Sequence, residues 1–432
     1  MEPRVPHHPP STSHHSPGRR RVVITGLGPV TACGIGRDAL WASILAARSG
    51  IGRVTSFDTS AFKAHNAGEI PGWDPSPHFP PHRLKRLDRF AQFSVISTLL
   101  ALADARLPWS PEQPQARTGV SFGTALGGIA GAESEHRSFM DKGARGVNQT
   151  LALQVFGGSA HSNIAIECGF RGPGTTNSNS CASGVIAVGE AMRYIRDGMA
   201  DVMIAGGAEA PLSPLTFGAF DFIRTMSRWE GDPASFACRP FDAGRDGFVM
   251  GEGAASLVLE EYGHATARGA HIYAEVCGYA LNNEAFHMTS PLPSGESVIR
   301  CMREAIADAA IAPGDIDYIN AHASSTTVND SNETACIRAV FAPRIPPVSG
   351  TKAFTAHPLG ATGAIETVLC ALAIEHALAP PTLHRHTPDP ACDLDIIPHT
   401  CRPMPIRYAL NNAFGFGGIN ACLVLGKVGG VG

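Results

Sequence analysis

Short apolar runs of strand length alternate along this chain with longer stretches whose apolar positions recur at helical spacing. The first run, Arg21-Val-Val-Ile-Thr-Gly-Leu-Gly, reads as a buried strand entering a glycine turn. One helix is predicted over 83–106, with a basic, exposed first half and an apolar second half. A strand from Val120 ends in glycines, and 150–167 reads as helical. After Cys181, Val185, Ile186, Val188, Met192 and Ile195 recur on one stripe of a helix that Gly198 ends. The strand Val202-Met-Ile-Ala-Gly-Gly follows, then a strand over 254–261.

The second part repeats this grammar. Strands are predicted over 271–277, 316–321 and 347–352, alternating with helices over 294–310, 330–341 and 360–378. Two closing strands, 408–412 and 421–425, flank Phe414-Gly-Phe-Gly-Gly. Alternating strands and helices predict an α/β fold with a mainly parallel, helix-covered sheet. No repeat is visible at the level of residue identity, but the order of elements suggests two similar halves, 19–270 and 271–428. Residues 1–18, rich in Pro, His and Ser, have almost nothing to bury and read as a disordered tail.

Composition narrows the picture. With 44% apolar and 17% charged residues, the 432-residue chain can bury a large core. A net charge of −4 gives no basic field to attract nucleic acid or an anionic membrane. Eleven cysteines without a CxxC pair suggest free thiols in a reducing compartment, hence a cytoplasmic protein. No apolar run of membrane-span length and no signal-like N-terminal segment is expected. Gly26-x-Gly28 lacks the third glycine of a dinucleotide fingerprint, because Thr31 stands there.

The candidate chemistry begins at Cys181. It stands where a small, hydroxyl-rich loop becomes a helix, so unpaired N–H groups and the helix dipole favour a thiolate. Small neighbours (Ser180, Ala182, Ser183, Gly184) leave the sulfur reachable. Three further polar stretches fall at predicted C-terminal ends of strands, where open α/β sheets place their sites: Asn320–Asp330 with His322, Gly350–Gly363 with Lys352 and His357, and Asn411–Asn420 with the glycine-rich turn.

The set Cys181, His322, Lys352, His357 and Phe-Gly-Phe-Gly-Gly resembles the β-ketoacyl-acyl carrier protein synthases, condensing enzymes of the thiolase superfamily. The likeness runs from about residue 20 to 427 and includes DGFVMGEGA, FHMTSP and PPTLHRHTPDP. It is nearest to the elongating type called synthase II. The resemblance implies a thiolase-like fold of two α-β-α halves in five layers, and a homodimer. It implies that Cys181 takes an acyl chain from a carrier protein and that malonyl-carrier protein is decarboxylated to attack it. Backbone N–H groups of Cys181 and Phe416 would hold the oxyanion, and neutral His322 and His357 would hold the enolate. Lys352 and Glu366 match a pair behind the histidines, and Asp330 a supporting acid. Thr289, Ser324 and Thr326 match pantetheine-contacting positions; Phe414 matches a substrate-binding position and Phe416 a gating aromatic. Arg224 and the basic 83–89 stretch, Lys85 and Arg86 included, would face the acidic carrier. No cofactor or metal is implied, since the phosphopantetheine arm belongs to the carrier.

The chain departs from the usual pattern at several positions. His322-Ala323 and Ala356-His357 carry alanine where glycine is common, and Asn179-Ser180 precedes the nucleophile. The acyl chain and the pathway stay open on sequence, fatty acid elongation leading over a polyketide or specialised lipid. A non-catalytic chain-length subunit would lack Cys181. Ser349-x-x-Lys352 has none of the companion motifs of a serine hydrolase.

Overall fold

The computed structural model describes residues 19–429, so the tail reading for 1–18 lies outside the described residues. Ten strands carry the architecture. The first five are β1 (Val22–Thr31), β2 (Thr118–Gly123), β3 (Gly174–Asn177), β4 (Val202–Glu209) and β5 (Gly253–Glu261). The second five are β6 (Ala274–Asn283), β7 (Tyr318–Asn320), β8 (Val348–Ser349), β9 (Tyr408–Gly415) and β10 (Ile419–Gly426). Within each set the spatial order is third, second, fourth, fifth, first: β3-β2-β4-β5-β1 and β8-β7-β9-β10-β6. In each, the first two pairings are parallel and the last two antiparallel. The repeat invisible in residue identity is therefore a repeat of topology. β1 and β6 pair antiparallel at Val23 and Glu275, which joins the halves into one sheet.

The expectation of a mainly parallel sheet is corrected, since antiparallel pairs are as frequent as parallel ones in each half. The cause is clearest at β9–β10, where only Phe416, Gly417 and Gly418 separate the strands. So short a link closes a hairpin and cannot make a parallel crossover.

Six helices make the other three layers: α1 (Arg89–Ala105), α2 (Ser159–Cys168), α3 (Ser183–Arg196), α4 (Glu296–Asp308), α5 (Thr327–Phe341) and α6 (Thr362–His376). α1 and α2 cover the first half from outside, over Phe90, Phe93, Phe122 and Ile164. α4 and α5 cover the second half, over Met302, Ile306, Ile319 and Ile337. α3 and α6 fill the middle, with Val185, Met192, Leu369 and Leu372 packed between Leu257 and Leu423. Sandwiched between two sheet halves, α3 buries Gly184, Ala187 and Ala191 as well as the predicted stripe. The segment Leu359–His376 is apolar and long enough to cross a membrane, against the sequence expectation, but 89% of it is buried in the protein. It is the core helix of the middle layer.

Several predicted helices are broken. The one expected over 83–106 is a short turn, Pro81–Leu84, and then α1, because the Asp88 carboxylate accepts the Phe90 N–H and caps a new start. The one expected over 150–167 splits into Leu151–Val155 and α2 at Gly157-Gly158. Helices Ile129–Lys142 and Pro214–Phe222 had no clear sequence signal. Gly26 and Gly28 serve packing: a β-carbon on Gly28 would lie 2.0 Å from the Ser97 carbonyl oxygen of α1. All eleven cysteines are free thiols.

Candidate active site

Cys181 lies in a single turn, Ser180–Ala182, that runs directly into α3. Ser180 holds a left-handed φ of 51°. Ser183 fixes this turn, its hydroxyl accepting the Asn179 N–H at 2.8 Å and donating to the Ser180 carbonyl at 2.7 Å. The glycine-rich turn after β9 comes close from the other half. A β-carbon on Gly415 would sit 3.2 Å from the Cys181 nitrogen, a tight contact that glycine avoids. The backbone N–H groups of Phe416 and Cys181 favour the thiolate and lower the pKa of the sulfur.

The predicted helix-start activation is outweighed in this structure. Burial, the largest effect, pushes the Cys181 thiol up to about 12; the Lys352 charge opposes that and Glu209 adds to it. Sγ is reached through a cavity of ≈ 310 Å³ instead of lying open on the surface.

His322 follows β7 and His357 precedes α6. Their rings lie 5.5 Å apart at 78°, and both are buried. Burial holds both imidazoles well below the ordinary value of 6.5, and the Lys352 cation lowers them further. His357 Nδ1 pairs with the Thr362 hydroxyl at 2.8 Å, which leaves Nε2 as its other polar atom. Lys352 Nζ lies 3.5 Å from His322 Nδ1 and donates to the His322 carbonyl and, at 2.7 Å, to Glu366. Burial pushes Glu366 up to about 7 against the pull of Lys352.

The cavity brings together Cys181, His322, His357, Phe414, Phe416, Thr289, Ser324, Thr326 and Arg224. Phe414 packs 5.8 Å from His322, and Phe416 stacks on Phe220 at 6.2 Å. Ser324 and Thr326 share a hydrogen bond of 2.9 Å, and the Thr326 hydroxyl also caps α5 by accepting the Asn329 N–H. Thr289 and Arg224 are exposed at the rim. Asp330 lies beneath, fully buried, accepting the Phe241 and Ser325 N–H groups. Lys85 and Arg86 are exposed on another part of the surface and do not line the cavity. Of the same basic stretch, Arg89 pairs with Glu252 and Arg83 reaches Asn163, so these two are held within the fold.

Two buried carboxylates escaped the sequence reading. Glu333 on α5 accepts the N–H groups of His322 and Ala323, each at 2.8 Å. Glu209, at the end of β4, accepts from Ala125, Leu126 and the Thr124 hydroxyl in the first half and from Gly360 in the second. Burial pushes each up to about 7. A lone acid at the end of an otherwise apolar strand was the available signal for Glu209; Glu333 stands among Asp330, Ser331, Asn332 and Thr334 and gave none.

Comparison with known proteins accords with this geometry. Residues 19–265 match the model of the beta-ketoacyl synthase N-terminal domain and 273–386 that of its C-terminal domain. The chain belongs to the beta-ketoacyl synthase family. It is 41% identical over 410 residues to 3-oxoacyl-[acyl-carrier-protein] synthase 2 of Staphylococcus aureus strain COL, covering 94% of this chain and 98% of that one. It is 40% identical to the protein of the same name from Coxiella burnetii, over 95% and 99% of the two chains. Among solved beta-ketoacyl synthases, one from Burkholderia phymatum aligns with a TM-score of 0.89 at 35% identity, over 95% of this chain and 100% of that one. A type II polyketide ketosynthase in complex with its acyl-carrier protein aligns at 0.87 and 36%, with the same coverage.

Proposed function

We propose that this enzyme is a 3-oxoacyl-acyl carrier protein synthase of fatty acid elongation. The observation that carries the reading is one cavity holding a cysteine sulfur, two backbone N–H groups that favour its thiolate, and two buried imidazoles held neutral. In the loading step Sγ bonds to the acyl carbon, and the Cys181 proton leaves on the departing pantetheine thiol. Malonyl-carrier protein then loses its carboxylate as carbon dioxide, and the electron pair of that bond becomes an enolate. His322 and His357 donate hydrogen bonds to the enolate oxygen; held neutral, they have no positive charge to trap it as an ion pair. The α-carbon attacks the Cys181 thioester, and the oxyanion is held by the Cys181 and Phe416 N–H groups. Collapse returns the thiolate and releases a 3-oxoacyl chain two carbons longer. These steps need no resident metal or cofactor.

Thr289, Ser324 and Thr326 suit the amides of a pantetheine arm in the cavity mouth, and rim-exposed Arg224 suits an acidic carrier. Docking at Lys85 and Arg86 would need a broad carrier footprint. Relatives named synthase 2 favour fatty acid elongation over a polyketide pathway. The enzyme works as a cytoplasmic homodimer in this reading. Support for the homodimer comes from the exposed apolar side chains of Phe139, Met140, Leu153, Phe156 and Ile166, and from β3, which stands at the end of the strand order.

The test supplies acyl- and malonyl-carrier protein and follows 3-oxoacyl product and carbon dioxide. Wild type is expected to form both, while His322→Ala and His357→Ala still take up the acyl group and lose about a hundredfold or more in carbon dioxide release. Release of free acid without a malonyl donor would contradict the reading.

A further inference from the structure

The apolar surroundings of Cys181 form a cluster of their own, apart from the three layer cores. Phe217, Met226, Phe248, Met250 and Leu359 make it, with Phe57, Phe62 and Phe220 packed against it. An acyl chain on Sγ needs an apolar bed, and this is the bed that Cys181 touches. Its far side is blocked. Phe217 is fully buried, meets Phe57 edge-on at 5.3 Å and lies 5.7 Å from Phe62.

The two buttressing rings come from a loop that is tied down. Asp221, on the same helix as Phe217 (Pro214–Phe222), accepts the N–H groups of Lys63 at 3.0 Å and Ala64 at 3.1 Å. Gly218 leaves the space that Phe62 fills, since a β-carbon there would lie 2.7 Å from the Phe62 ring. The cavity that reaches Cys181 is lined by Phe220, Phe248 and Leu359 and by none of Phe57, Phe62 and Phe217. The part of the cluster that this cavity does not reach is a filled aromatic block tied by backbone hydrogen bonds.

We infer that Phe217, backed by Phe57 and Phe62, is the end wall of the acyl pocket and restricts this enzyme to short acyl chains. The inference rests on the proposed loading of Cys181. A hydrophobic wall discriminates steeply, and a methylene that does not fit costs about tenfold or more. Phe217 and Phe62 are specificity-determining residues in this account.

The experiment measures the rate of mass gain of the intact protein with carrier proteins bearing short, medium and long saturated chains, for wild type, Phe217→Ala and Phe62→Ala. Wild type is expected to load short chains and to fall off by about tenfold or more on passing the limit. Both variants should move that limit to longer chains. Should Phe217→Ala fail to fold, Phe62→Ala, altered on a surface loop, decides alone. Equal loading of all lengths by wild type, or an unchanged limit in the folded variants, overturns the wall. Absence of loading at every length would overturn the proposed function instead.

Discussion

Ala323 and Ala356 keep backbone conformations that suit glycine, with φ of 41° and 58°. The methyls are tolerated because glycines face them: a β-carbon on Gly350 would lie 2.7 Å from that of Ala323, and one on Gly68 2.7 Å from that of Ala356. The strain is still present, so Ala356→Gly is expected to stabilise the protein by about 1 kcal/mol, read as a higher urea midpoint. A lower midpoint would show that the packing of the methyl outweighs its strain. Lys352 gives a pH prediction. Its cation disfavours both imidazolium ions, so Lys352→Ala should raise the pKa of His322 and His357 toward 6.5. The acid limb of carbon dioxide release should then move to higher pH, and an unmoved limb would assign Lys352 a packing role only. Cys181, His322 and His357 were legible in the sequence because each sits among small residues at an element boundary. Glu209 and Glu333 were not, because an acid closing a strand or set in a polar helical stretch looks like a surface position until the backbone N–H groups that it accepts are seen.

At the scale of elements, the glycines of the first strand are decided by what crosses them. Gly28→Ala would drive a β-carbon into the backbone of α1, and overpacking of this kind costs about 1–3 kcal/mol or more. Denaturant unfolding should show that loss, and near-wild-type stability would mean that α1 can withdraw. Strand and helix types were readable from periodicity in most segments. Breaks were not, because they depend on caps such as Asp88 and on glycine pairs, which act locally and leave the apolar period intact. The parallel-sheet expectation failed for a similar reason: the three-residue link between β9 and β10 was read as a binding turn and not as a hairpin.

At the scale of the molecule, ten strands in two sets of identical order place Cys181 from the first half in one cavity with His322 and His357 from the second. The middle helices α3 and α6 start on either side of the site and carry Cys181 and His357 at their entrances. The exposed apolar residues between Phe139 and Ile166 predict a dimer, measured by light scattering as twice the 45.3 kDa chain mass. A monomer at micromolar concentration would contradict the homodimer. The central claim, that Cys181 carries the growing chain, is tested most directly by intact mass after incubation with short-chain acyl-carrier protein. The expected result is a gain of one acyl group by wild type, none by Cys181→Ala, and loss of the acyl group when malonyl-carrier protein is added. An acyl group that stays on the Cys181→Ala variant, or no gain by wild type, would contradict it.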